Sequence, residues 1–502
     1  MAGSGNTTMP SSTPVISVGP EEERVGHALV RVWSAKAPFR VGEVGFLRVL
    51  GRRPAIVGRE LGGGDGPTDY VRFEFQRPGG SVPTGPLEGD DLSREHLVFH
   101  GAPDGLDVEN RGRILAVLVD GHPVEKGGAR RIKPGAIIQI AGHSNFLYVR
   151  RRETMPMVDV SPSHTFGDPD EDWIAGESPV AWALRADLAG AALVCSHVLL
   201  LGESGTGKEL CALCIHRRLG RGGLFEAVNL ATLEPGIASA ELFGGAANFP
   251  NHGMPERPGL VGMALGGTLM LDEIGDAPIE IQAKLLRLLQ RQYIRIGESR
   301  VRVADIIVIG ATNRPLDRLK EDLVPRFDVV VLVPSLAARW EDIPLVARAI
   351  VLAEAKRNPK LAGPFVKTDT AGRLYVPMQQ SFVLAMMRST FAGNVRDLRK
   401  LLLRSMKDTK EGPLRQPADM GDWRVPASLP PPPEDPTIAA EAEDLLERLD
   451  LPPREELLGR LERHDWNKTR VGETYRTDRF RISRWMEKLG IKKPKDTEPD
   501  DE

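Results

Sequence analysis

Residues Val198 to Glu209 read Val-Leu-Leu-Leu-Gly-Glu-Ser-Gly-Thr-Gly-Lys-Glu, an apolar run followed by three glycines and a lysine. Gly202, Gly205 and Gly207 permit backbone angles that other residues resist, so consecutive N–H groups along Glu203, Ser204 and Thr206 can point at one anion. Lys208 adds a point charge suited to the β- and γ-phosphates of a nucleotide. The spacing fits G-x-x-x-x-G-K, with Glu209 where a Ser or Thr metal ligand is usual. The apolar run before it and the helix-forming Glu-Leu-Cys-Ala-Leu after it predict a phosphate cradle between a strand and a helix.

Further along, Gly266-Gly-Thr-Leu-Met-Leu-Asp-Glu-Ile-Gly-Asp276 predicts a buried strand ending in two adjacent carboxylates. Asp272 is placed to hold Mg2+, directly or through water, and Glu273 to polarise the attacking water. Asp-Glu after an apolar strand is commonplace alone, but after a phosphate loop it predicts ATP hydrolysis. A third strand, Asp305-Ile-Ile-Val-Ile-Gly-Ala-Thr-Asn313, ends in an asparagine placed to sense the γ-phosphate.

The chain that must position these groups has 502 residues, enough for several domains. Its 41% hydrophobic and 27% charged residues are ordinary for a soluble globular protein. A net charge of −3 leaves no overall bias toward nucleic acid, so any such bias is local. Three cysteines argue against a disulfide scaffold and suit a reducing cytoplasm. Cys211-Ala-Leu-Cys214 spells C-x-x-C, but on the helix leaving the glycine turn it reads as an apolar face rather than a redox pair. Met1-Ala-Gly-Ser-Gly-Asn has no basic region or apolar core of a signal peptide. The longest apolar stretch, Leu188 to Leu201, is too short to span a bilayer. A cytoplasmic protein with no membrane partner is expected.

Composition shifts divide the chain. Residues 1–27 read as disordered. Over 28–152, short alternating apolar runs broken by Gly and Pro, such as Ala136-Ile-Ile-Gln-Ile, predict a small antiparallel β-sandwich. Residues 153–172 read as a linker. A second linker, 411–436, contains Pro430-Pro-Pro-Pro433 and reads as extended and semi-rigid. Residues 496–502 read as a loose acidic tail.

Several motifs together resemble the AAA+ domain of bacterial enhancer-binding proteins, which activate transcription by the sigma-54 form of RNA polymerase. They are the glycine turn, Ala-Glu-Leu-Phe-Gly (240–244), the Asp-Glu strand, Ala-Thr-Asn-Arg-Pro (311–315) and Glu-Asp-Ile-Pro-Leu (341–345). The resemblance implies an α/β ATPase core over 173–335 and a helical lid over 336–410, with Glu209 habitual after the lysine. It implies that Asn229 is a switch residue hydrogen-bonded to Glu273, and that Arg396, in Gly393-Asn-Val-Arg396, contacts nucleotide from the lid. It also places two arginine fingers in Leu319–Phe327. Arg326 keeps one, while Lys320 stands for the other and lacks the planar fork. The family's sigma-54 contact loop, Gly-Ala-Phe-Thr-Gly-Ala, is replaced by Asn248-Phe-Pro-Asn-His-Gly253 at unchanged length, with no residue identical. Phe249 offers an aromatic tip one position early and Pro250 stiffens the loop. On this ground the usual loop contact with sigma-54 is expected to be absent.

The β-rich segment resembles a forkhead-associated (FHA) module, on Gly58-Arg59, Ser93-Arg94-Glu95-His96 and Asp120-Gly121. That resemblance implies phosphothreonine binding by Arg59 and Ser93, with Arg94 beside them and His96 bracing the loop. Leu115 stands where the family has the asparagine that secures the bound peptide, which implies weak binding at most.

Toward the C-terminus, Trp466 to Lys495 hold ten Lys or Arg against three Asp or Glu. Asp478 can cap a helix in which Ile482, Trp485, Met486 and Leu489 form a core stripe, with Leu457, Leu458 and Leu461 on a helix before it. The segment 437–495 reads as a helix-turn-helix and resembles the Fis-like end of enhancer-binding proteins. Its candidate DNA contacts are Arg479, Arg481, Ser483, Arg484 and Lys488.

The expected whole is a DNA-binding, ATP-dependent transcription regulator working as a homo-oligomer, dimer to hexamer. The alternative is a regulator that uses ATP as an assembly switch and signals through FHA contacts without remodelling sigma-54. The retained carboxylates favour the first; the rewritten loop and Lys320 favour the second.

Overall fold

The computed structural model describes residues 25–49, 53–59, 70–102, 105–155, 163–314, 319, 322–419, 454–464, 466–474 and the single positions 482, 485, 486, 489 and 491. The N-terminal region is the expected sandwich, with all strand pairs antiparallel. Its strands are β1 (Val25–Ser34), β2 (Val44–Phe46), β3 (Ala55–Val57), β4 (Phe73–Arg77), β5 (Gly80–Gly85), β6 (Leu97–Ala102), β7 (Gly105–Asn110), β8 (Val117–Val119), β9 (His122–Val124), β10 (Ala129–Ile132), β11 (Ile137–Ile140) and β12 (Ser144–Arg152). They form an eight-stranded sheet, β5-β4-β2-β1-β12-β11-β8-β9, and a four-stranded sheet, β10-β7-β6-β3. Leu29, Phe99, Val108, Ile138 and Phe146 fill the space between the sheets.

Both faces of strand β1 are buried. Successive strand side chains point to opposite sides. Leu29 enters the sandwich core, whereas Ala28, Val30 and Val32 enter a different core shared with the C-terminal half of the ATPase region. Arg31, on the sandwich face, lies between Phe73 and Phe146 and is neutralised by Glu43 at 2.8 Å.

The central region begins with α1 (Pro179–Val194), β13 (Val198–Leu201), α2 (Lys208–Leu219) and β14 (Phe225–Asn229). It continues through α3 (Pro235–Phe243), α4 (Gly259–Met263), β15 (Thr268–Asp272), α5 (Ile279–Leu289), the hairpin β16 (Gln292–Tyr293) and β17 (Arg302–Val303), β18 (Ile307–Thr312) and β19 (Val329–Leu332). Five strands make a parallel sheet in the order β14-β15-β18-β13-β19, so β13 is interior. The same period-2 rule sorts β13. Leu199 and Leu201 pack with Leu242, Val261 and Leu285 of α3, α4 and α5, while Val198 and Leu200 pack with Leu188 of α1 and Ala212 of α2. Cys211 and Cys214 are buried on that second side of the sheet, and burial pushes both thiols up to about 12. They are apolar-face residues, not a thiolate pair.

The lid comprises α6 (Ile343–Arg357), α7 (Pro359–Ala362), the hairpin β20 (Lys367–Thr368) and β21 (Leu374–Tyr375), α8 (Gln380–Arg388) and α9 (Asn394–Asp408). In α9, Leu398, Leu401, Leu402 and Met406 recur at helical spacing and form its buried face.

Two expected linkers are partly built into the fold. Phe166 stacks on Phe75 with ring centroids 3.9 Å apart, and Asp170 pairs with Arg185 at 2.8 Å, so 163–172 is packed chain rather than a tether. At the other end Leu414 is fully buried, bridges Met378, and follows a lid that therefore runs past 410. Neither tract is periodic, which hides its burial from a pattern reading.

Near the C-terminus, helices span Arg454–Arg463 and Lys468–Thr474. Leu457, Leu461, Val471, Ile482, Trp485 and Met486 share one apolar cluster. The candidate DNA contacts Arg479, Arg481, Ser483, Arg484 and Lys488 lie outside the described residues. Among the described residues no helix is long and apolar enough to cross a membrane.

Candidate nucleotide site

The glycine turn leaves β13 and enters α2, as its residues require. Gly205 and Gly207 have φ of +78° and +104°, the left-handed region that favours glycine. A Cβ on Gly205 would also stand 2.2 Å from the carbonyl oxygen of Gly393, so the lid sits directly on the turn. Thr206 Oγ1 donates to Glu203 O at 3.0 Å. Lys208 is buried at the first position of α2, and its Nζ donates to Gly202 O at 2.8 Å and Glu203 O at 3.1 Å. Burial lowers its pKa, and the charges of Glu273 and Asp272 resist that shift. Glu209, in the same turn of α2, is exposed.

Asp272 closes β15 level with Asn229 at the end of β14. Glu273 follows with φ of 52°, a left-handed position that is uncommon for a non-glycine residue. Burial pushes its carboxyl up, with Asp272 adding to the rise, while Lys208 and the Asn313 backbone N–H pull the other way. Glu273 Oε2 and Asn313 Oδ1 are both buried and accept no hydrogen bond. Such acceptors are costly unless a ligand or water satisfies them. The hydrogen bond expected from Asn229 to Glu273 is not formed. Asn229 Oδ1 instead accepts from Ala231 N at 2.9 Å and starts the short helical turn Leu230–Thr232, whose first N–H groups lack partners of their own.

The lid closes the site from above. Arg396 is exposed and its Nη1 donates to Ser204 Oγ of the glycine turn at 3.1 Å. Asn394 was invisible as a site residue in the sequence. Its Nδ2 donates to Glu203 Oε2 at 2.8 Å and Ser204 O at 3.1 Å, and its Oδ1 accepts from Leu336 N at 2.7 Å. With φ of 49°, its one available signal is an asparagine after glycine at a helix start, a residue type that tolerates this conformation.

Beside the turn, a cavity of about 490 Å³ opens between the core and lid. Ile174, Ala175, Leu210, Val346 and Ile350 give it apolar walls, and Arg339 lines it with Nη1 donating to Ala175 O at 3.2 Å. Arg326 is exposed in a short turn, Val324–Arg326, and Lys320 lies outside the described residues.

The base of the rewritten loop is pinned. Gly245 bridges both Arg257 and Ile296, Ala246 N donates to Ile296 O at 2.9 Å, and Arg295 pairs with Glu256. Phe249 packs over Gly297 and is still 44% exposed.

At the sandwich, Arg59, Ser93 and Arg94 line a cavity of about 890 Å³ together with Arg111, Arg113 and Lys126. Arg59 is held by Asp90 at 2.9 Å, and Ser93 Oγ accepts from Arg113 N at 3.0 Å. His96 is fully buried with Nδ1 accepting from Ser93 N, and burial lowers its pKa to about 4, so it braces the loop as a neutral ring. Leu115 packs on the sandwich core.

The sequence family described as the Sigma-54 interaction domain matches residues 174–332, which include the glycine turn, both carboxylates and the rewritten loop. The response regulator protein PilR of Pseudomonas aeruginosa is 33% identical over 64% of this chain and 71% of its own length. The transcriptional regulatory protein GlrR of Escherichia coli K12 is 38% identical over 46% of this chain, which spans about half of it (51%). Among solved structures, NtrX from Brucella abortus in complex with ADP is 30% identical over 63% of this chain and 70% of its own, with a TM-score of 0.42. With its phosphate turn, paired carboxylates and lid in place, the chain belongs to the family of AAA+ transcription regulators that carry a sigma-54 interaction domain.

Proposed function

We propose that this protein is an ATP-hydrolysing transcription regulator acting on sigma-54 RNA polymerase. The observation that carries the ATPase reading is the pair of buried, unsatisfied acceptors, Glu273 Oε2 and Asn313 Oδ1, just past the ends of neighbouring strands beside Lys208. The base of ATP fits the apolar cavity, and its phosphates fit the turn from Gly202 to Glu209 under Arg396. Among the described residues no group of three or more His, Cys, Asp or Glu could hold a metal by itself. One carboxylate, Asp272, would hold Mg2+, which would supply charge neutralisation for the transferring group. Glu273, its carboxyl already raised, orients the attacking water and takes its proton. Asn313 fixes the γ-phosphate side of the site. Arg326 reaches a neighbouring subunit of a ring, and residues 437–495 anchor the assembly to DNA through Arg479, Arg481, Ser483, Arg484 and Lys488.

The six replaced loop residues argue against sigma-54 contact, whereas the match to the Sigma-54 interaction domain runs through them and Phe249 still presents an aromatic ring. The decisive experiment combines the full chain with sigma-54 and ADP–aluminium fluoride, and footprints the same protein on promoter DNA. A ternary complex lost in Phe249→Ala supports the proposal. A footprint and intact ATP turnover without any complex would support the second reading, an ATP-dependent assembly switch.

The N-terminal sandwich is proposed as an FHA-type phosphoprotein contact that has lost most of its grip. Arg59 pairs with the exposed Asp90 at 2.9 Å, and Leu115 packs on the sandwich core instead of facing a peptide. Titrating the full chain with a phosphothreonine peptide library should give dissociation constants weaker than about 1 µM. Tighter binding that Arg59→Ala abolishes would make the sandwich a phosphorylation-gated input.

A further inference from the structure

Two arginines of the sandwich reach the chain segments that wall the nucleotide cavity. Arg77, at the end of β4, forks onto Glu177 with Nη2 at 2.5 Å and Nε at 3.1 Å, and Trp182 Nε1 donates to the same carboxylate at 3.1 Å. Burial pushes the Glu177 carboxyl up, but His164 at 3.5 Å and Arg77 pull it further down, to about 2. Arg151, in β12, uses every arm. Nε donates to Gln76 Oε1 at 2.6 Å, Nη1 to Glu341 Oε1 at 2.8 Å, and Nη2 to Glu177 O at 3.1 Å.

Glu177 and Glu341 adjoin the joint between core and lid. Asp342 Oδ1 accepts from Glu177 N at 2.8 Å and from Ser178 N at 3.0 Å, while its Oδ2 accepts from Ser178 Oγ at 2.5 Å. Burial pushes both Glu341 and Asp342 up, and Arg151 and Arg339 respectively oppose it. Ala175, two residues before Glu177, and Arg339, two before Glu341, both line the cavity. The wall of the nucleotide site therefore hangs on carboxylates whose counter-charges are supplied partly by another domain. Removing one partner of a buried pair strands the other charge, and the local backbone must shift to rehydrate it.

Resting on the ATP reading above, we infer that Arg77 and Arg151 are positioning residues of the nucleotide site. The sandwich is a built-in part of the ATPase protomer, and what displaces it from Glu177 and Glu341 loosens the cavity wall. A wall that contacts the ground state and the transition state equally affects KM and leaves kcat in place.

The test uses the full chain with Arg151→Ala, Arg151→Lys and Arg77→Ala, and Lys208→Ala as a control on the ATP site. In Arg151→Ala, KM for ATP should rise about tenfold or more with kcat within about twofold. Hydrogen exchange should quicken at 174–178 and 339–343 while the sandwich and the parallel sheet stay protected. Arg151→Lys should recover part of the loss, since a lysine neutralises Glu341 but its single nitrogen cannot span acceptors spread around the planar fork. If Arg151→Ala unfolds the sandwich, Arg77→Ala carries the same readings. Unchanged exchange at the wall, or faster exchange with unchanged KM, overturns the inference. A wild-type chain that turns over ATP no better than Lys208→Ala overturns the ATP reading itself, and the exchange data still report whether the sandwich holds the wall.

Discussion

Replacing Arg326 by alanine is expected to slow ATP turnover by about 10³–10⁵-fold while nucleotide affinity stays nearly unchanged, the scale of effect seen when an arginine finger is withheld from a phosphoryl-transfer site. Arg326 is exposed and makes no ion pair among the described residues, so its charge is free for the second subunit that the proposal places beside it. The transition state spreads negative charge over the γ-phosphoryl oxygens, and a guanidinium held against them lowers the barrier more than it strengthens ground-state binding. The trans arrangement makes a second demand. Mixing inactive Arg326→Ala with inactive Lys208→Ala should restore turnover, because some interfaces then pair an intact phosphate turn with an intact finger. Turnover near the wild-type rate in Arg326→Ala, or no recovery on mixing, would show that this arginine is not shared between subunits.

Glu273→Gln should bind ATP and lose about 10²–10³-fold in turnover, since the amide can orient water but cannot accept its proton. The raised carboxyl sets the sign of the pH dependence. Glu273 must be ionised to act, and burial keeps its proton to higher pH than for an exposed glutamate. Wild-type kcat should therefore fall with decreasing pH, with its midpoint above the usual carboxylate range, and the residual activity of the variant should lack that limb. A variant that keeps the same acid limb, or turns over at the parent rate, would assign the proton transfer elsewhere. The left-handed backbone at Glu273 means that even the conservative glutamine must hold a strained position, so melting curves belong beside the kinetics.

Much of the site was legible because it is local. The turn from Gly202 to Lys208 depends on backbone angles and one charge within a few residues, and β13 and β15 announce themselves as short apolar runs. The contacts across the lid were less legible. Arg396 could be placed through resemblance, but Asn394 shows its role only when Glu203, Ser204 and Leu336 meet around its amide. Asn229 shows the opposite failure. It stands at the end of β14 level with Asp272, yet its amide makes no hydrogen bond to Glu273 and its oxygen accepts from Ala231 N.

By itself, the sequence determined that a phosphate turn, two carboxylates and an asparagine would stand at the ends of short apolar strands, because a buried run and glycine geometry need no distant partner. Tertiary structure alone decided that β1 would serve two cores and that Arg77 and Arg151 would neutralise Glu177 and Glu341. Apolar spacing encodes which face is buried but not what covers it. A buried charge likewise demands a partner without naming one, so the joining of sandwich to ATPase is written only in the packing of residues a hundred or more positions apart.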